Sequence, residues 1–122
     1  LQVSLEELVG PPRAAAQLFP AASIPEKRRG QSRIRALLPE SLQGLQMERL
    51  ELPAGAAFTG IPHTPGTREY LCCERGEILL TASGTAWTLT PGDVLVFRGD
   101  QKHAYRNASR RAAVAYSVIA LG

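Results

Sequence analysis

The 122-residue chain has no long apolar run: its hydrophobic stretches are short, broken by charge or proline, and none approaches the ~20 residues of a membrane-spanning helix. That excludes a helical anchor within it, and a soluble, cytoplasmic protein is expected. Cysteine is nearly absent as well. Cys72 and Cys73 are neighbours, so on a strand their side chains point to opposite faces and form no ordinary disulfide. A disulfide-stapled secreted scaffold is therefore excluded, and two reduced packing thiols are expected. No basic-then-apolar leader opens the chain, which starts at Leu1 without methionine, so a fragment of a longer, non-secreted protein is expected. Aromatic residues are few, and none interleaves with the basic run Lys27-Arg28-Arg29, Arg33 and Arg35. That run, within a modest net charge of +3, reads as a solvated connector rather than a nucleic-acid platform.

What is present is one domain's worth of chain in three textures. Residues 1–10 carry Ser4 with Glu7 three positions on, then Leu8, Gly10 and Pro11-Pro12, which predicts a short capped helix with a firm stop. Residues 11–31, rich in Pro, Ala, Arg and Gly, read as a linker with an edge strand around Ala14 to Phe19. From residue 32 to 122, short β-forming runs alternate with turn chemistry, the pattern of a sandwich or closed barrel. Strands are predicted near 32–38, 44–52, 55–59, 68–75, 77–82, 85–89, 94–97, 103–107 and 112–120. Turns are predicted at Pro53-Ala-Gly55, Ser83-Gly84 and Pro91-Gly92-Asp93, the second a tight hairpin, and a bulge is predicted near Glu48-Arg49 where the apolar face changes.

Only two histidines occur, His63 and His103. Strand parity puts Glu69, Leu71 and Cys73 on one face and His103, Tyr105 and Asn107 on one face of a later strand. A carboxylate heading an apolar face is costly to bury unless a cation neutralises it. Two imidazoles and a carboxylate meeting on a concave surface suit a borderline divalent metal.

The two histidine segments resemble the paired motifs of the cupin superfamily. His63, Glu69 and Gly76 match the spacing of its first motif, and Gly92, His103 and Asn107 match that of its second. The resemblance covers residues 32 to 120 and implies an all-β fold, a double-stranded β-helix or jelly-roll barrel, here preceded by the short helix and linker. Three positions depart from the pattern: Pro65 stands where a second histidine is usual, Arg98 replaces a proline and Asp100 replaces a glycine. One usual metal ligand is therefore missing, and His63, Glu69 and His103 remain as a three-ligand face for Zn, Fe, Mn or Ni. Arg98 is the candidate for holding an anionic ligand, with Arg68, Lys102 and Arg106 nearby in sequence, and Tyr105 is the candidate ligand contact beside His103. Trp87 and Phe97 are expected in the core or barrel lining.

The opening LQVSLEELVG is similar to the last helix of helix-turn-helix domains of the lambda-repressor-like, xenobiotic-response-element class. Together the two resemblances imply the effector-sensing domain of a bacterial transcription regulator: a homodimer whose small-molecule effector or metal controls operator binding by an N-terminal domain absent from the chain. The alternative is a small metal-dependent cupin enzyme, a dioxygenase or isomerase, using the same three ligands. A third is a metal-free binding module.

Overall fold

Alternation of inward apolar and outward polar residues between closely spaced turns gives ten antiparallel strands in the computed structural model, which describes residues 16–121. The helix expected over 1–10 and the connector up to residue 15 lie outside the described residues. The strands are β1 (Glu26–Arg29), β2 (Ser32–Ala36), β3 (Leu45–Leu52), β4 (Ala57–Thr59), β5 (Thr67–Arg75), β6 (Ile78–Ala82), β7 (Thr85–Leu89), β8 (Val94–Arg98), β9 (His103–Arg106) and β10 (Ala113–Leu121). They form a six-stranded sheet, β1-β2-β3-β10-β5-β8, facing a four-stranded sheet, β4-β9-β6-β7. Nearly all the described secondary structure is strand, as the sequence pattern requires.

Leu52, Leu71, Ile78 and Leu80 are fully buried between the two sheets. Each contributes about 1.5–3 kcal/mol relative to exposure. Cys73 packs with them, and burial pushes its thiol up, so it behaves as a small core residue; Cys72 faces the other way. At Ser83-Gly84 the chain reverses in two residues of positive φ (47° and 84°) between paired Ala82 and Thr85, the tight hairpin the sequence calls for.

Three expectations need correction. The edge strand is β1, not Ala14 to Phe19: Ala16–Phe19 form no strand, and β1 and β2 pair across Gly30-Gln31. The bulge near Glu48-Arg49 is not there, since β3 runs in unbroken register with β10 from Leu45 to Leu52. The apolar pattern breaks because Gln46 and Glu48 share the inner face with Leu50 and line a cavity. The slip falls on β5 instead, where Val114 pairs with Arg75 and Ala115 with Cys73, leaving Glu74 as the extra residue. Trp87 pairs across from Leu80 but lies on β7, the sheet's edge, and stays 40% exposed.

Candidate metal and ligand site

Glu69 comes inward from β5 by the same parity that buries Leu71 and Cys73, and it is completely buried. His103 opens β9 on the face it shares with Tyr105. His63 lies on the connection between β4 and β5, pinned by its backbone N–H, which donates to Gly99 O at 2.8 Å. The three residues predicted as ligands thus converge. Nε2 of His63 and Nε2 of His103 each lie 3.7 Å from Glu69 Oε1, and one potential ligand atom from each residue falls within 4.8 Å of the others.

Hydrogen bonding leaves the inner atoms of this group free. His103 Nδ1 lies 2.8 Å from Gln101 O, which only accepts, so the ring proton sits on Nδ1 and the Nε2 lone pair points inward without a partner. Tyr105 donates its O–H to Glu69 Oε2, while Oε1 has no partner at all. Burial and then the Glu69 charge push the Tyr105 phenol well above its usual range, which keeps its proton available for that carboxylate. A fully buried carboxylate oxygen and an imidazole nitrogen, both unpartnered and converging, are costly unless a cation lies between them. Ligands ~2.1 Å from a tetrahedral ion stand about 3.4 Å apart, close to the separations found. The residues therefore fit a divalent ion held by His63, Glu69 and His103. Such an ion supplies Lewis acidity and an open position for an oxygen or nitrogen ligand.

Two glycines create the room for the imidazoles. A Cβ on Gly60 would lie 2.2 Å from His103 Nε2, and one on Gly99 would lie 2.8 Å from Thr67 Oγ1 and 3.2 Å from the His63 ring. Gly99 lies one position before Asp100, where the sequence departs from the motif. Pro65, in the place of the usual second histidine, sits in a turn with Gly66 (φ +91°) at which Thr67 N–H donates to Thr64 O. That position shapes the loop and offers no ligand. Asn107 is fully buried and donates to Leu52 O (2.9 Å) and Arg111 O (2.6 Å), tying down the loop before β10.

His63 and His103 line a cavity of about 210 Å³ together with Tyr105, Lys27, Arg29, Gln46, Glu48, Phe58 and Ile61, and Glu69 lies buried beside the two imidazoles. Phe58 stacks on Tyr105 with centroids 4.7 Å apart and holds that ring in place. Tyr105 reaches the cavity as expected. Arg98 does not: Phe97 takes the inward position of β8, and Arg98 faces out opposite Arg68, 3.4 Å from Asp100. Arg68, Lys102 and Arg106 are exposed too. The cavity cations are instead Lys27 and Arg29, which the sequence placed in a linker. The one local feature beside them is Gly30, whose positive φ (60°) lets the chain reverse into β2. A shallower depression of about 370 Å³, lined by Leu42, Gly44, Pro62, Thr64 and Leu121, lies against His63 and shares it with the first cavity.

Residues 48–119 match the Cupin domain family model, a stretch that contains all three candidate ligands. The cupin domain of an XRE family transcriptional regulator from Enterobacter cloacae is 29% identical, superposes with a TM-score of 0.70, and aligns over 75% of this chain and 97% of that one. An HTH_3 family transcriptional regulator from Vibrio cholerae is 24% identical with a TM-score of 0.67; the match spans 75% of this chain and 51% of that protein, about half its length. A protein described as a predicted oxalate decarboxylase from Thermotoga maritima is 17% identical, with a TM-score of 0.64 over 87% of this chain and all of that one (100%), a likeness of fold alone. No curated protein matches the chain. Since the family model spans more than half of the sequence and both histidine segments, the chain belongs to the cupin domain family.

Proposed function

We propose that the chain is the effector-sensing and dimerisation domain of a bacterial, cytoplasmic transcription regulator, in which a small molecule, a divalent ion or both occupy the barrel and control operator binding by an N-terminal helix-turn-helix domain. The likeness to the Enterobacter cloacae regulator domain over nearly its whole length carries this assignment. In it, residues 1–10 are the end of the DNA-binding domain, 11–31 the linker and 32–122 the sensor. His63, Glu69 and His103 hold the ion, and Tyr105 orients the carboxylate and touches the ligand. Among the described residues no helix is long and apolar enough to cross a membrane. For dimerisation the outer face of β5 and β8 offers Tyr70, Val94 and Val96, an exposed apolar patch bordered by Arg68 and Arg98.

Control of this kind requires a ligand with unequal affinity for two states of the regulator. A mobility-shift titration of the full-length regulator on its own promoter, with zinc and with chelator, tests it. The expected result is an operator affinity that changes by at least about fivefold between the two conditions. A full-length protein that binds no DNA overturns the proposal, and equal binding in both conditions overturns control by the ion. An enzymatic role rests on the same three ligands, which leave positions open for substrate. It requires turnover of a thiol or carboxylate substrate by the iron-loaded chain, read as oxygen consumption or isomer formation.

A further inference from the structure

Strand β1 turns alternate residues toward the cavity. Lys27 and Arg29 line it, while Arg28 pairs across from Arg33 and is exposed. The Lys27 ammonium stands 3.6 Å from Glu48 Oε2, so that cation is already matched. Among the described residues, Arg29 has no carboxylate within 4.0 Å. The same cavity is lined by the apolar side chains of Phe58 and Ile61 and by His103, whose Nε2 has no hydrogen-bond partner among the described residues and lies 3.7 Å from the likewise unpartnered Glu69 Oε1.

The charges decide the ligand's sign. Counted over cavity and triad together, Lys27 and Arg29 offset Glu48 and Glu69 in net charge although Arg29 is paired with neither, so a divalent ion on the triad leaves two uncompensated positive charges. A volume of about 210 Å³ is small beside the roughly 300–1,000 Å³ of drug-sized ligand pockets and suits a short acid. We propose that this cavity binds a small carboxylic acid, its carboxylate gripped by the Arg29 guanidinium and its apolar body lying against Phe58 and Ile61. The proposal rests on the triad holding a divalent ion, and it makes ion and acid mutually reinforcing ligands. A planar guanidinium fits a carboxylate through two parallel N–H donors, which a lysine ammonium does not. Because β1 continues directly from the first 25 residues, the acid grips the strand that leads toward the proposed DNA-binding end.

The test is calorimetric titration of the zinc-loaded 122-residue chain with isovalerate and with isovaleramide, which has the same shape without the charge. Isovalerate is expected to bind at least about tenfold more tightly than the amide, and Arg29→Gln to lose at least about tenfold of that affinity while Arg28→Gln stays near the parent. Chelator-treated chain is expected to bind isovalerate at least about fivefold more weakly. Zinc bound stoichiometrically with no isovalerate response, or equal binding of the acid by Arg29→Gln, overturns the acid site and leaves the metal centre standing. Failure to bind zinc, measured separately by elemental analysis after dialysis, overturns both.

Discussion

Replacing Tyr105 by phenylalanine deletes one oxygen from the centre of the site and nothing else of substance. The ring keeps its volume and its stack on Phe58, so packing stays as it is. What is lost is, among the described residues, the only hydrogen bond to a completely buried carboxyl group, because Glu69 Oε1 has none there to begin with. A hydrogen bond to a charged acceptor is worth about 1.5–3 kcal/mol, which sets the expected loss of stability in metal-free protein. The same bond fixes the direction in which the carboxylate presents Oε1 to His63 and His103. Losing such an orienting partner costs about 10–100-fold in metal affinity, or ~1.4–2.7 kcal/mol, in line with the first figure. Urea unfolding in chelator reads the stability change, and competition against a chromophoric chelator reads zinc affinity. A Tyr105→Phe protein that binds zinc within about twofold of the parent, or more tightly, refutes the claim that the phenol positions the carboxylate.

Gly60→Ala places a methyl 2.2 Å from His103 Nε2 and is expected to abolish stoichiometric zinc binding while the far-ultraviolet spectrum stays that of a β protein; retained binding counts against the geometry. Asn107→Ala removes the donor to Leu52 O and Arg111 O and is expected to cost at least about 2 kcal/mol in urea unfolding, with zinc stoichiometry unchanged. The Thr90 backbone N–H, and then its hydroxyl, hold the Asp93 carboxyl below its usual 3.8, so its stabilisation is present above that pH and is lost as pH falls through the lower folded value. The stability gap between Asp93→Asn and the parent should therefore be widest near neutrality and close in strong acid, and a gap independent of pH refutes it. Stripping the ion is expected to lower the melting temperature of the parent and to leave that of Glu69→Gln unmoved.

Most of the barrel was legible because half-buried strands alternate and turns carry their own chemistry. Ser83-Gly84, Pro91-Gly92-Asp93 and Pro53-Ala-Gly55 delimited the strands to within a residue or two, and parity alone set Glu69, His103 and Tyr105 inward. Parity also held the answer on Arg98: Phe97 is the residue that belongs inside, so its neighbour must face water. What failed to show was β1, whose four residues are all charged and carry none of the β-branched or aromatic signal of a strand. It is ordered by its hairpin pairing with β2 across Gly30-Gln31, which only the turn, and not the strand residues themselves, announces. Glu48 was obscure for a related reason: a polar residue on an inner face looks like a change of face unless a cavity is known to lie there. The glycines at 60 and 99 carry no motif signal, because their contribution is the volume they leave empty for another residue's ring.

That empty volume has a consequence for the wider set of barrels sharing this topology. If the triad holds an ion as proposed, one added carbon beside an imidazole is expected to block it while the strands, the core and even both histidines and the glutamate persist in the gene. Loss of metal during descent therefore need not erase its ligands, and such a silenced centre is to be recognised by what replaces the spacer residues Gly60 and Gly99.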